Sequence, residues 1–378
     1  MEKHKNRVVL VGGGSGGHFY PLISIAEVLT RQPAPEAIPA LYYMGPTPYD
    51  TEALNKLAIT YRYCPAGKQR RYRSFRNTLD LFKVMAGVCV ALVQLFRIYP
   101  DVVMSKGGYT SVPVVFAAWL LRIPVVLHES DAVPGRANKF CARFATYIGI
   151  AYPDIAEFFP EKKTAYVGVP MRTELLDEPT TEGRAELGLH SERSTLLVIG
   201  GSQGAERINE LILESLDELL PQYNVIHQTG ADLFDTAVAT AQSLITQTSL
   251  LEYYHPVAFM PPQMLNEALH AASVVISRAG SGSIYEIAAH GKPSILIPIP
   301  EDVSHDQRTN AYAYARTGAA VVMEERNLQD GLLAAEIGRI MGDQQMYGHM
   351  STAARSFGMR DAAETIAATL VRIAVSHH

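Results

Sequence analysis

The stretch VVLVGGGSGGH, residues 8–18, decides the fold class. Its apolar, mostly β-branched start predicts a short buried strand, and the glycines that follow predict a tight turn. We place Pro21 in the first turn of an apolar-periodic helix over Leu22–Leu29. A strand, a glycine turn and a helix in this order are typical of a Rossmann-like α/β unit.

The same alternation continues along the first half of the chain and begins again in the second. Each restart opens with a strand and a glycine turn, the second one being Gly200–Gly204 after Leu196–Ile199. This pattern predicts two parallel sheets, each covered on both faces by helices. The further predicted strands are Ala40–Met44, Asp101–Met104, Val125–Leu127, Asn224–Gln228, Val274–Ser277 and Ser294–Ile297.

A polar stretch with four prolines, Pro153–Gly183, marks the predicted domain junction. We therefore expect a first domain over residues 1–166 and a second over residues 167–344. The helical segment 345–378 is expected to pack back on the first domain. A chain of 378 residues is long enough for two such cores.

Composition excludes several classes of protein. Apolar residues make up 48% of the chain and the formal net charge is −5, so we expect a folded protein that binds no nucleic acid. Three scattered cysteines favour a reducing compartment. We expect no signal peptide, and the longest apolar stretch, Val84–Phe96, is short for a membrane span, which predicts a cytoplasmic, non-spanning protein.

The first glycine loop also fits the dinucleotide fingerprint G-x-G-x-x-G. An NAD site further requires an acid that ends the second strand, where this chain has Gly45-Pro46. An NAD-linked oxidoreductase therefore remains the weaker alternative. His18 lies at the start of the helix, where the helix dipole favours a neutral ring, and it is either a general base or a cap.

Two further loops open helices in the second half. The loop around Ser202, Gln203 and Gly204 offers backbone N–H groups and side-chain donors to a diphosphate. In the other, Ser283 and Glu286 fit a capping box, although the Glu286 carboxylate can equally bind a ribose. Since no cluster has metal spacing and there is no D-x-D pair, we expect no metal and no cofactor.

Many motifs in this order resemble those of one family, the MurG glycosyltransferases of the GT-B fold. The resemblance runs from Gly12 to about Gly318. Its motifs are residues 13–18, Gly107-Gly108-Tyr109, Pro124–Glu129, Asn138-Lys139, Gly168–Arg172, Gly200–Ala205, His227–Gly230, Ser277–Gly280, Glu286–Ala288, and Gln307 with Asn310.

The resemblance implies a fold of two Rossmann-like, doubly wound parallel-sheet domains that face a cleft. It implies inverting, metal-independent transfer of N-acetylglucosamine from UDP-N-acetylglucosamine to the muramyl 4-hydroxyl of undecaprenyl-diphospho-N-acetylmuramoyl-pentapeptide (lipid I), giving lipid II in peptidoglycan synthesis. The alternatives within this fold are another UDP-sugar-dependent lipid glycosyltransferase, a UDP-sugar epimerase and a non-catalytic lipid-binding relative.

The resemblance also implies roles for individual residues. His18 is the predicted general base and Asp131 its rival. The predicted acceptor-binding residues belong to the first domain and are Gly14, Tyr109, His128, Glu129 and Asn138. The predicted donor-binding residues are Ser15, Gly16, Gly17, Arg172, Ser202, Gln203, Gly204, Phe259, Met260, Arg278, Ser283, Glu286 and Gln307.

Two features qualify this resemblance. Ser130-Asp131 stands where the family usually has Gln-Asn, and Asp306 and Arg308 around Gln307 also depart from the family pattern.

The segment Lys68–Phe96 begins with five cations in nine residues and continues as an apolar run. We expect it to hold the protein against an anionic membrane surface, peripherally and on the cytoplasmic face.

Overall fold

The computed structural model describes residues 6–31, 38–67, 75–201, 205–301 and 305–376, without the side chains of residues 75–79 and 305. The chain divides into two compact units. The first comprises Met1–Arg172 and Arg360–His378, and the second comprises Thr173–Met359.

The first unit is built on a seven-stranded sheet in the order β3-β2-β1-β4-β5-β6-β7, in which every neighbouring pair is parallel. A strand between two parallel neighbours needs a helical crossover, which the alternating sequence supplies. The strands are β1 (Arg7–Gly12), β2 (Ala40–Gly45), β3 (Thr60–Tyr63), β4 (Val102–Gly107), β5 (Val125–Glu129), β6 (Tyr147–Ile150) and β7 (Thr164–Tyr166).

Helices cover this sheet. One face packs on the apolar sides of the first and last helices of the unit, which share a buried cluster with Leu10 and Met104. The helices are α1 (Gly16–Thr30), α2 (Thr51–Lys56), α3 (Phe75–Ile98), α4 (Ser111–Leu120), α5 (Arg136–Cys141) and, at the far end of the sequence, α14 (Ala362–Ser376).

The second unit has a six-stranded parallel sheet in the order β10-β9-β8-β11-β12-β13. Alternate residues of its first strand face two different cores: Leu196 and Val198 lie in one buried cluster, Leu197 and Ile199 in another. The sheet is therefore covered on both faces, as predicted. The strands are β8 (Ser194–Ile199), β9 (Tyr223–Gln228), β10 (Tyr254–Val257), β11 (Val274–Ser277), β12 (Ser294–Leu296) and β13 (Ala320–Val322).

The segment beyond residue 344 is two helices instead of one. Only α14 packs on the first unit, because the helix before it packs on the second. The helices of the second unit are α6 (Gly183–Glu186), α7 (Glu206–Leu219), α8 (Phe234–Leu244), α9 (Pro262–Ala271), α10 (Ser281–Ala289), α11 (His305–Ala315), α12 (Leu332–Gly342) and α13 (Gln344–Phe357).

Helix α3 is longer than the apolar stretch read from the sequence. Over Asp80–Ile98 it is long and apolar enough to cross a membrane by length and composition, and 22% of that window is buried. One side of it packs tightly on the first unit, since a Cβ on Gly87 would lie 2.1 Å from the Pro65 carbonyl and 3.0 Å from Pro113 of α4. Its main contacts are with helix α4.

Candidate active site

The first glycine loop joins β1 to α1 at the carboxyl edge of the first sheet. Helix α1 begins at Gly16 with Ser15 as its N-cap, so Pro21 is the sixth helical residue and its predicted place in the first turn is wrong. Gly14 has a φ of +90°, and a Cβ there would lie 2.9 Å from a ring carbon of Tyr109. The loop therefore depends on glycine at this position.

A second glycine loop follows β4 and lies against the first. Gly107 and Gly108 have φ angles of +89° and +77°. A Cβ on Gly108 would lie 3.5–3.6 Å from the imidazole of His18 and 3.2 Å from the Gly13 carbonyl. Since β1 and β4 are neighbours in the sheet, their loops bring Gly14, Tyr109 and His18 to one place.

His18 is half-buried, and its Nδ1 lies 2.7 Å from the Ser15 hydroxyl. Burial, the larger effect, and the nearby Lys106 ammonium lower the pKa of the imidazole to about 4, against the opposing effect of Asp131. The ring is thus neutral at pH 7 through burial first. When Nδ1 carries the proton and donates to Ser15, Nε2 is free to accept one from a ligand.

Three of the predicted acceptor-binding residues are buried, and their side chains bond within the first unit. Glu129 accepts hydrogen bonds from the N–H groups of Asp131 (3.1 Å) and Gly135 (2.9 Å) and from the Asn138 amide (2.9 Å). The Asn138 amide also donates to the His128 carbonyl, and the His128 ring bonds the Gly168 carbonyl at 2.7 Å. These side chains shape the loop after β5, and each is less than 5% exposed.

The loop shaped by Glu129 carries Asp131, which is half-buried. Its charge raises the pKa of His18, and it also raises that of Glu129, which burial brings to about 7. The two rival candidates for the base, His18 and Asp131, are therefore within electrostatic reach of each other.

The sequence analysis missed Lys106, the penultimate residue of β4. Its side chain is 1% exposed, and its charge lowers the pKa of both His18 and His128. One signal was available: a lysine inside the otherwise uncharged run of a buried parallel strand, directly before a double glycine. Charged residues are almost never fully buried unless they are compensated, so this position is an informative one.

At the carboxyl edge of the second sheet, Gln228 ties two loops together. Its Nε2 donates to the Gly201 carbonyl at 3.0 Å, and its Oε1 accepts from the Met260 N–H at 3.0 Å. Gly201, at φ +95°, begins the loop in which Ser202, Gln203 and Gly204 were predicted to bind the donor. Those three residues lie outside the described part of the chain.

Phe259 and Met260, both predicted to lie beside the uracil, have opposite environments. Phe259 is 52% exposed, whereas the Met260 side chain is buried in the core beneath β8 and β9. Of the two, only Phe259 presents its side chain to solvent.

The third predicted loop opens α10, whose N-cap is Gly280. Ser283 and Glu286 therefore lie inside the helix, and the capping box is excluded. Gln307 links this loop to the next, since its Oε1 is 3.3 Å from the N–H groups of both Ala279 and Ile299. Gln307 therefore lies at the carboxyl edge of the second sheet, and Glu286 is the sixth residue of the helix that this loop opens.

Two predicted donor-binding cations are engaged within their own units. Arg278 forms an ion pair with Glu325 and donates to the Ile297 carbonyl at 3.1 Å. Arg172 ends the first unit, with its guanidinium 5.6 Å from the ring of Tyr20. No group of three or more His, Cys, Asp or Glu side chains that could hold a metal ion occurs in the described ranges.

Comparison with known proteins gives the class. The glycosyltransferase family 28 N-terminal domain matches residues 8–150, and the family 28 C-terminal domain matches residues 195–366. The first match lies in the first unit, and the second lies mostly in the second unit and continues into α14; together they cover most of the chain. The protein is a family 28 glycosyltransferase.

Full-length relatives narrow this class. A Bacillus cereus protein named UDP-N-acetylglucosamine–N-acetylmuramyl-(pentapeptide) pyrophosphoryl-undecaprenol N-acetylglucosamine transferase 2 is 35% identical, over 95% of this chain and 97% of its own. A Shouchella clausii transferase of the same name is 37% identical, over 90% and 92%. The chain belongs to this transferase family, the MurG family, which confirms the resemblance seen in the sequence.

Solved structures agree on the fold. Acinetobacter baumannii MurG superposes with a TM-score of 0.77 at 23% identity, over 97% of this chain and 99% of that one. A UDP-N-acetylglucosamine 2-epimerase from Neisseria meningitidis shares the fold at a TM-score of 0.66 and 13% identity, over 98% and 100%. The predicted GT-B class of two parallel-sheet domains is therefore confirmed.

Proposed function

We propose that this protein transfers N-acetylglucosamine from UDP-N-acetylglucosamine to the muramyl 4-hydroxyl of lipid I, giving lipid II and UDP with inversion at the anomeric carbon. The observation that carries the proposal is the match, over nearly the whole length of both chains, to relatives named for this transfer. The arrangement at the two sheet edges supports it.

The acceptor binds the first unit in this proposal. The glycine loops at Gly14 and Gly108 leave backbone accessible beside Tyr109, so a sugar or phosphate can approach closely. His18 Nε2 takes the proton of the 4-hydroxyl as that oxygen attacks the anomeric carbon and the bond from this carbon to the diphosphate breaks. Asp131 stabilises the imidazolium that forms, or accepts the proton itself.

The donor binds the second unit. Phe259 offers an exposed ring to the uracil, Glu286 accepts from the ribose hydroxyls, and Gln307 holds the sugar. The first turn of α10 contains no acidic residue, which leaves its N-terminus suited to an anion. Together with Ser202, that helix end balances the charge that develops on UDP, so the reaction proceeds without a metal ion.

Calorimetric titration in EDTA tests the donor assignment. UDP-N-acetylglucosamine should bind, while UDP-N-acetylgalactosamine, UDP-glucose and NAD should bind at least tenfold more weakly. Transfer to a lipid I analogue is then measured by release of UDP. Conversion of the donor sugar without acceptor would instead favour an epimerase, and preferential binding of NAD would overturn the proposal.

Two substitutions separate the rival bases. His18→Ala should abolish transfer while calorimetry shows donor binding within twofold of the wild type. Asp131→Asn should retain measurable turnover, because it leaves the imidazole in place. Near-wild-type turnover of His18→Ala, together with loss of turnover in Asp131→Asn, would assign the base to Asp131.

We also propose that the first unit docks peripherally on the cytoplasmic face of the cell membrane. Helices α3 and α4 expose large apolar side chains on the unit that takes the lipid-linked acceptor. Most of the basic segment Lys68–Arg76 lies outside the described residues; its last two residues, Phe75 and Arg76, begin α3. The exposed side chains are Leu81, Phe82, Met85, Val93, Phe96, Trp119 and Leu120.

Vesicle sedimentation tests this docking. The wild type should bind vesicles with 30% phosphatidylglycerol, and a Phe82→Ser/Phe96→Ser variant should lose most of that binding while its donor affinity stays unchanged. Leu244→Ser, at an exposed apolar position of the second unit, is the matched control and should bind like the wild type. Equal vesicle binding by the Phe82→Ser/Phe96→Ser variant and by Leu244→Ser would contradict the proposal that α3 and α4 form the membrane-binding surface.

A further inference from the structure

Lys106 carries a buried ammonium that has no hydrogen-bond partner. The side chain is 1% exposed, and its Nζ is buried without a donor–acceptor contact among the described residues. A buried charge is costly unless opposite charges lie near it. Its presence therefore indicates that nearby carboxylates compensate it, or that a ligand completes it.

The backbone places Lys106 directly beneath the glycine loops. A Cβ on Gly12 would lie 2.8 Å from the Lys106 Cβ, so the residue packs against the end of β1. Two positions further along the chain, Gly108 lies against the His18 ring. On the other side β4 pairs with β5, which ends at Glu129.

The titratable groups around Lys106 belong to three elements. Helix α1 contributes His18, β5 contributes His128 and Glu129, and the loop after β5 contributes Asp131. The two carboxylates raise the pKa of the lysine, whereas burial, the larger effect, lowers it to about 8. Among the other charged side chains on elements packed on β4, Arg136 and Lys139 on α5 and Glu364 and Arg372 on α14 are exposed, whereas Arg7 on β1 and Glu27 on α1 are half-buried.

The two carboxylates differ in their surroundings. Glu129 is committed to three N–H donors, and its pKa is raised to about 7 by burial and by Asp131. Asp131 is half-buried and acts on both Lys106 and His18. It is thus the carboxylate that acts on both the ammonium and the imidazole.

We propose that Lys106 is a positioning residue of the acceptor site, and that its ammonium and the Asp131 carboxylate form a compensating charge pair that sets the protonation state of His18. Lys106 opposes the imidazolium and Asp131 favours it. The ring therefore stays free to accept a proton until the acceptor hydroxyl arrives. That last step rests on the proposed function, in which His18 is the base.

Histidine NMR tests the pair without any substrate. In protein labelled with ¹³C at histidine Cε1, the His18 signal is assigned by its loss in His18→Gln. Lys106→Met should raise the His18 titration midpoint by about one pH unit, the order expected for one nearby charge. Asp131→Asn should lower it, and the double variant should lie between the two. Lys292→Met removes a lysine of equally lowered pKa from the second unit and should leave the midpoint unchanged.

Turnover supplies the second readout. In Lys106→Met the acidic limb of the pH profile of kcat/KM for the lipid acceptor should shift upward with the NMR midpoint, while the KM for the UDP-sugar stays within twofold. If Lys106→Met does not fold alone, the charge-balanced double variant is compared with Asp131→Asn. A midpoint that moves by less than 0.2 unit on loss of Lys106 would overturn the proposal, even in an active transferase. A shifted midpoint in an enzyme that does not transfer would instead reject the proposed function and keep the charge pair.

Discussion

The hydroxyl of Tyr43 donates a 2.6 Å hydrogen bond to the carbonyl of Gly12, and this contact fixes the start of the first glycine loop to the neighbouring strand. Tyr43 is buried on β2, and its hydroxyl also lies 2.7 Å from the position of a Cβ on Gly13. The geometry of the loop therefore depends on a buried side chain of the neighbouring strand.

Removing that hydroxyl should loosen the loop. Tyr43→Phe leaves the Gly12 carbonyl without this donor, which should lower the free energy of unfolding in urea by about 1–2 kcal/mol. The KM for the lipid acceptor should rise severalfold because the loop shifts, while calorimetric donor affinity is retained. Tyr61→Phe is the matched control: it removes a 3.0 Å bond to the Gly45 carbonyl, away from the loop. An equal change of acceptor KM in both variants would contradict this account.

A second prediction concerns Gly14. Alanine there must adopt a φ near +90°, at a cost of about 1–2 kcal/mol, and its Cβ would press on Tyr109 at 2.9 Å. We expect Gly14→Ala to reduce acceptor turnover more than tenfold in initial-rate assays. Gly338→Ala, on an exposed helical position with no atom within 4 Å of the new Cβ, should instead stabilise α12 by up to ~1 kcal/mol. Wild-type turnover of Gly14→Ala would show that the loop tolerates a side chain.

The central strands other than β6 could be predicted from the sequence, whereas the edge strands could not. The apolar runs of β1, β4, β8 and β11 predicted strands because both faces of a central parallel strand are buried. The strands that the sequence analysis missed include all four edges of the two sheets. An edge strand is short and half-exposed, so its sequence is polar and irregular, as in Thr60–Tyr63. The missed edges are β3, β7, β10 and β13.

The site was predictable where backbone conformation dictates residue type. Gly14 and Gly108 require glycine for their positive φ angles, and such positions are visible in a sequence. The role of a polar side chain depends on its partners, which the sequence does not reveal. Glu129 and Lys106 illustrate this dependence: the carboxylate of the first accepts hydrogen bonds from the loop after β5, and the second was not predicted although its charge acts on His18.

A third prediction concerns Gln228, at the carboxyl edge of the second sheet where the donor is proposed to bind. Gln228→Ala removes both bonds that tie Gly201 to Met260, so the loops at this edge should lose their relative position. Calorimetric affinity for UDP-N-acetylglucosamine should fall about tenfold, equivalent to about 1.4 kcal/mol. Asn224→Ala is the matched control, because this buried amide bonds residues His190 and Arg193 at the opposite end of the same strand. It should destabilise the fold and leave the donor affinity of the folded protein unchanged, whereas equal losses would refute a local effect.

The last prediction concerns pH and stability. The ring of His227 is fully buried between the Tyr254 hydroxyl and the Asn209 side chain, each 3.0 Å away. The Asn209 amide nitrogen donates to the Thr229 carbonyl, so its oxygen accepts from Nε2, and Nδ1 accepts from the tyrosine. Both ring nitrogens are thus satisfied only when the ring is neutral, and burial lowers its pKa to about 3.

The unfolded chain binds a proton at this histidine near pH 6.5, and the folded chain does not until about pH 3. Because the unfolded state binds more protons in that window, stability should fall with acidification by about 1.4 kcal/mol per pH unit for this residue. Glu129 acts in the opposite sense between about pH 7 and 4.5, since its folded pKa is raised. The contribution of His227 is therefore the difference in the pH dependence of the free energy of unfolding between the wild type and His227→Gln, measured by urea unfolding at pH 4.5, 5.5 and 6.5. His349→Gln, on the exposed side of α13, should keep the wild-type slope, and an unchanged slope in His227→Gln would show that this ring is protonated in the folded state.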